Sequence, residues 1–187
     1  MSEEIIRIAA KGDGLTESGR HVAGTVPGDR VEADGTILPG PHHVAPPCRH
    51  FPQCGGCQLQ MADDAALTRF VGERVAFAAD SQGLTPETLA LPHLSPSRTR
   101  RRATLHAQRA GKKILIGFRE GGSHRLIDMA ECHILAPELL ALVAPLRSLL
   151  GQWPGTLAAN IQLTRVDQGV AMAVSYTHLR AHETGRN

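Results

Sequence analysis

CRHFPQCGGCQLQ, residues 48–60, holds three of the chain's four cysteines, Cys48, Cys54 and Cys57, at C-x5-C-x2-C spacing. The fourth, Cys132, stands alone far downstream in MAECHILAPE. One four-thiolate site accounts for every cysteine, and four thiolates are what an iron–sulfur cluster or a structural zinc takes. The two glycines between Cys54 and Cys57 allow a tight backbone and bring N–H groups towards a sulfur-rich anion. On that reading the four sulfurs converge on one small volume. Four unrelated buried thiols are the plain alternative, because cysteine is a common core residue.

Compartment narrows the chemistry. No apolar stretch reaches the ~18 residues of a membrane span, and MSEEIIRIAAKG lacks the basic start and apolar core of a signal peptide. A cytoplasmic chain keeps its thiols reduced, which favours metal or redox chemistry over disulfides. A thioredoxin-like CGGC needs a strand before it, whereas HHVAPPCRHFPQ is too rich in proline to be an interior strand. Structural zinc usually takes two C-x2-C knuckles and only one is present, although Cys3His sets drawing on His50 or His133 stay open. Radical enzymes leave one iron open, with three clustered cysteines at another spacing; a fourth ligand at Cys132 closes the site. The spacing favours a structural or electron-storing cluster over zinc.

With 187 residues and only 3% aromatic content, the chain must build one or one and a half domains on aliphatic cores. Residues 4–38 alternate short apolar pairs with the turns Gly12-Asp13-Gly14, Pro27-Gly28-Asp29 and Asp34-Gly35, which reads as a small β-barrel or part of one. No periodic helix follows Gly12-Asp13-Gly14, so it is not a nucleotide loop. Residues 39–53 form an extended, proline-rich arm. From Asp63 to Ala79 a helix is expected, capped by Asp63 or Asp64, with Leu67, Phe70, Val71, Val75 and Ala78 on one face. Residues 103–108 and 114–118 make a hairpin, 125–129 a further strand, and 161–166 with 170–174 a last hairpin. Pro137 opens a second helix that ends at Gly151, and Pro145 inside it should kink or split it.

Charge is unevenly spread although the net is only +2. Arg98, Arg100, Arg101, Arg102, Arg109, Lys112, Lys113, Arg119 and Arg125 crowd one segment against the single acid Glu120. Such a field suits a phosphate backbone, while a solvated hairpin with outward charges accounts for it equally well. Arg100, Arg101 and Arg102 precede a strand, so their side chains should alternate in direction and at least one should be structural.

CRHFPQCGGCQLQ, SRTRRRATLHA and ILIGFREGGSHRLIDMAECHILAPEL, in this order, resemble the front half of the cluster-containing uracil-5 RNA methyltransferases. The resemblance implies an α+β chain: a shortened TRAM-type, OB-like barrel at residues 1–40, then a mixed α/β iron–sulfur domain at 41–174. It assigns Cys48, Cys54, Cys57 and Cys132 to a 4Fe–4S cluster, and it implies structured ribosomal or transfer RNA as partner of a cytoplasmic monomer. Arg100, Arg101, Arg102, Lys112 and Lys113 are the expected phosphate contacts. In that family a C-terminal domain binds S-adenosylmethionine. There a cysteine adds to C6 of uracil and a carboxylate removes the C5 proton. This chain has no cofactor loop and no cysteine after Cys132, so no catalytic residue is expected in it. Residues 175–187, SYTHLRAHETGRN, fit no part of the pattern and read as a disordered, foreign tail in which His178 and His182 make a weak metal pair. The competing reading is a stand-alone RNA-binding module with structural zinc.

Overall fold

A computed structural model describes residues 2–176. Packing divides the chain into two units: the first runs through Pro52 and resumes at Cys57–Ser95, and the second takes Gln53–Gly56 and everything from Pro96 onward.

In the first unit, five short strands form an antiparallel sheet in the order β3-β2-β1-β4-β5: β1 (Glu3–Ile8), β2 (Gly14–Thr16), β3 (His21–Val22), β4 (Arg30–Val31) and β5 (Ile37–Leu38). A register shift between Ile5 and Arg7 curls β1. No ladder joins β3 to β5 among the described residues, so the expected barrel is an open half-barrel. Two-residue strands are too short to carry closure. The proline-rich arm is pinned at a point instead. Asp29, fully buried, accepts from Val26 N–H (2.9 Å) and Gly40 N–H (2.7 Å) and pairs with His43 Nδ1 (2.8 Å). Gly40 must be glycine, since a Cβ there would stand 2.2 Å from the Gly28 carbonyl oxygen.

Helix α1 (Asp64–Asp80) begins where Asp63 caps it, its Oδ1 accepting from Ala66 N–H at 2.8 Å. His42 Nδ1 meets the other carboxylate oxygen at 2.9 Å. These bonds hold the Asp63 carboxyl below its ordinary range, the Ala66 N–H contributing most and His42 next. Only the start of the expected apolar face is buried. Ala66 and Phe70 join Ile8, Val26, Met61 and Ala62 in a small core, whereas Val71 and Val75 are exposed.

The second unit is an antiparallel sheet, β7-β6-β8-β9, with helices on one face: β6 (Arg102–Ala110), β7 (Lys113–Gly117), β8 (Ala158–Val166) and β9 (Gly169–Tyr176). Both hairpins are longer than the sequence suggested, because each turn needs only two residues. Ala110 pairs with Lys113 and Val166 with Gly169. Gly111 takes φ +61° at the first central position, where a II′ turn calls for glycine. Ser175 and Tyr176, expected in the tail, complete β9 against Asn160 and Ala159; residues 177–187, with His178 and His182, lie outside the described residues.

The expected second helix is two, α2 (Pro137–Ala141) and α3 (Val143–Gly151). Pro145 lacks an N–H, and its ring would clash with the carbonyl four residues earlier, at Ala141; α2 stops there. Leu139, Val143, Leu146 and Leu150 pack with Leu105, Ile116, Ile161 and Leu163 of the sheet to form the main core. The expected strand at 125–129 is an extended segment rather than a ladder strand. It bonds through Ile127 N–H to the Phe118 carbonyl and Met129 N–H to the Ile116 carbonyl, with one bridge from Arg119 to Leu126.

Candidate metal centre and nucleic-acid interface

The cysteines fall in pairs by unit. In the first, Cys48 is buried and its N–H donates to Gln60 Oε1 (3.3 Å), while Gln60 Nε2 donates to Cys57 Sγ (2.8 Å). One glutamine, three residues after Cys57, therefore orients both cysteines, and a donor aimed at sulfur suits a thiolate. Sequence reasoning missed Gln60, although its i+3 offset from a cysteine was a usable signal.

In the second unit, Cys54 lies in the Gln53–Gly56 loop, which is stitched to residues 119–121. Gly55 N–H donates to the Arg119 carbonyl (2.9 Å) and Gly121 N–H to that of Gln53 (3.2 Å), with Cys54 bridged to Glu120. The role expected of the two glycines needs correcting. Gly55 directs its N–H at a carbonyl rather than at sulfur, and both glycines lie close against Phe118 and Arg119, just beyond β7. A Cβ on Gly55 would lie 2.8 Å from the Arg119 oxygen, and one on Gly56 3.0 Å from the Phe118 ring. Cys132 packs against the main core and accepts from Leu135 N–H at 3.5 Å. It opens onto a hollow of about 360 Å³ shared with Arg98, Glu131 and His133.

None of the four cysteines is in a disulfide. Among the described residues, no set of three or more His, Cys, Asp or Glu side chains stands grouped to hold one ion. The donor chemistry nevertheless suits a soft metal site: thiols, two of them receiving N–H groups. Gathering such ligands and binding the metal are a single coupled event. Of the two histidines open to a Cys3His site, His133 faces Glu131 at 3.7 Å.

The basic segment separates by direction, as alternation requires. Arg100 is structural at least in part: its Nη1 donates to the Gly56 carbonyl (3.2 Å), and its backbone bonds to Ile134 and Ala136. Arg101 lines a second hollow, of about 400 Å³, with Glu138, Arg165 and Asp167. Arg102 begins β6 and points the other way, paired in register with Thr164. Arg109 is held on the helix side by the carbonyls of Leu150 and Trp153, and Arg125 pairs with Glu120 at 3.4 Å. Lys112 and Lys113 stand exposed at the hairpin tip. The field read from sequence is therefore thinner than the count of cations implied.

No family model matches the chain. Curated relatives do. An uncharacterized RNA methyltransferase of Zymomonas mobilis is 44% identical over 170 residues, covering 90% of this chain and 43% of the relative. One from Rhizobium meliloti is 34% identical, covering 97% of this chain and 48% of its own length. The 23S rRNA (uracil(1939)-C(5))-methyltransferase of Pectobacterium atrosepticum is 30% identical, with 83% and 38% covered. The chain spans less than half the length of these relatives. It belongs to the RNA methyltransferase family that includes the 23S rRNA uracil-C5 enzymes.

Proposed function

We propose that this chain is the RNA-binding, iron–sulfur part of an S-adenosylmethionine-dependent RNA (uracil-5-)-methyltransferase of the cytoplasm, acting as a monomer on ribosomal or transfer RNA. The observation that carries the reading is the match itself: RNA methyltransferases cover nearly all of this chain, while the chain covers less than half of them. No helix among the described residues is long and apolar enough to cross a membrane. Cys48, Cys54, Cys57 and Cys132 hold the 4Fe–4S cluster, which supplies a structural cross-link or an electron store. The half-barrel serves as a TRAM-type RNA contact. Methyl transfer, and the cysteine and carboxylate that perform it, belong to a part of the enzyme outside this chain.

RNA binding tests the reading. The chain should bind structured RNA with steep salt dependence, and Lys112→Ala with Lys113→Ala should flatten the slope of log affinity against log salt by roughly 1.5, two phosphate contacts' worth. An unchanged slope returns both lysines to a solvated turn. No RNA affinity at all would overturn the reading.

A further inference from the structure

None of the four strands of the second unit contains an Asp or a Glu. That matters because one face of their sheet is left uncovered by the other described residues, with Thr104, Gln108 and Gln162 exposed on it. The helices take the other face, where Leu105, Ile116, Ile161 and Leu163 are buried. Alternation then places Thr104, His106, Gln108, Asn160, Gln162 and Thr164 together on the uncovered side. They are in register: Thr104 opposite Gln162, His106 opposite Asn160 and Arg102 opposite Thr164. His106 Nδ1 and Asn160 Oδ1 lie 2.7 Å apart, which fixes the centre of the array. Next to it on β9, Ala171 opposes Thr164 and Ala173 opposes Gln162, so the relief there is low.

Three cations of this unit are turned away from that face. Arg165 meets Glu138 of α2 at 3.2 Å, Arg109 binds helix-end carbonyls, and Arg101 lines the hollow beside Glu138. Of the strand cations, Arg102 and Lys113 lie on the face itself, both exposed, at opposite ends of the β6–β7 pair, with Lys112 in the turn beside Lys113. The result is a flat platform, mostly of neutral hydrogen-bonding groups with Leu115 and Val166 at its margins, with a cation at each end and no carboxylate among the described strand residues. It measures about 26 Å along β6 and about 14 Å across four strands.

We infer that this sheet face docks the shallow minor groove of a double-stranded RNA stem. The inference rests on the RNA reading above and specifies its partner. A cation at each end and strands without acid suit a polyanion. Tyr176, the aromatic residue of these strands, pairs with buried Ala159 and so lies on the helix side; the face carries no Phe, Tyr or Trp among the described residues and offers no platform for stacking splayed single-stranded bases. Neutral amides and hydroxyls are instead the groups that meet 2′-hydroxyls, which a wide A-form minor groove presents in rows. Arg102 and Lys113 then reach phosphates on either side of the groove.

The test is fluorescence anisotropy of the full chain with three probes: an RNA stem-loop, a DNA hairpin of the same sequence and an unpaired RNA. The stem-loop should bind about tenfold more tightly than either of the others. Thr104→Glu with Gln162→Glu puts two carboxylates on the face and should weaken stem-loop binding by about tenfold. Gln168→Glu, an exposed change at the β8–β9 turn, is the off-face control and should cost less than about twofold. Ala173→Glu provides a second on-face variant, and unchanged melting curves confirm that each protein folds. On-face variants that bind like the control, or tighter binding of unpaired RNA, overturn the inference and leave the RNA reading standing. A chain that binds none of the probes overturns both.

Discussion

The two units hold their shape by opposite means. The second closes on aliphatic side chains: Leu105, Ile116, Leu139, Ile161 and Leu163 are all below 2% exposed. The first has strands of two or three residues and a small core around Ile8, Val26, Met61 and Phe70, and relies on polar clamps. Asp29 ties a turn to the arm, and Asp63 ties the arm to a helix. A sheet with long strands gains enough from burial to set its own register. A curl of short strands must be told where the chain goes next, and buried hydrogen bonds do this with few residues.

Substitutions can break that contrast. Ile161→Ala should be the most damaging, at about 3–4 kcal/mol, because it empties a fully buried site between sheet and helices. Its effect should show as a lower melting temperature and lost protection across β6 and β8 in hydrogen exchange. Asp29→Ala should cost about 2–3 kcal/mol, since it strands two N–H donors and one imidazole. Here lost protection should centre on residues 26–43. If Asp29→Ala proves neutral, the polar-clamp account of the first unit is wrong.

Asp63→Ala is the smallest of these, about 1 kcal/mol for a lost cap. It also carries a pH signature. The carboxyl is held below its ordinary range, so the folded state favours its ionised form. That contribution is in full above the ordinary carboxylate range and fades as pH falls through the depressed value. The stability gap between Asp63→Ala and the parent chain should therefore narrow at acid pH; a gap independent of pH would remove the ionised cap from the account.

The same contrast explains what could be read beforehand. The second unit was legible because its strands and helices are periodic. Both hairpins, the split near Pro145 and the alternation at Arg100, Arg101 and Arg102 follow from local chemistry. In the first unit the short strands and the cap at Asp63 were legible, but not the clamp. Nothing near Asp29 announces that Gly40 and His43 will be its partners. Val71 and Val75 mislead in the opposite way: they fit a helical stripe, yet only its first turns have a core to face. The thiol site was legible as a set of ligand types, and the i+3 offset of Gln60 from Cys57 was there to be read, whereas the carbonyl-bound Gly55 depends on a contact no spacing reveals.

The iron–sulfur role proposed for those thiols is tested most directly by the iron, acid-labile sulfide and zinc content of the chain produced without oxygen. Brown protein with four irons and four sulfides per chain is the expected result, and Cys54→Ser should lose both metal and colour. Colourless protein carrying stoichiometric zinc would contradict it.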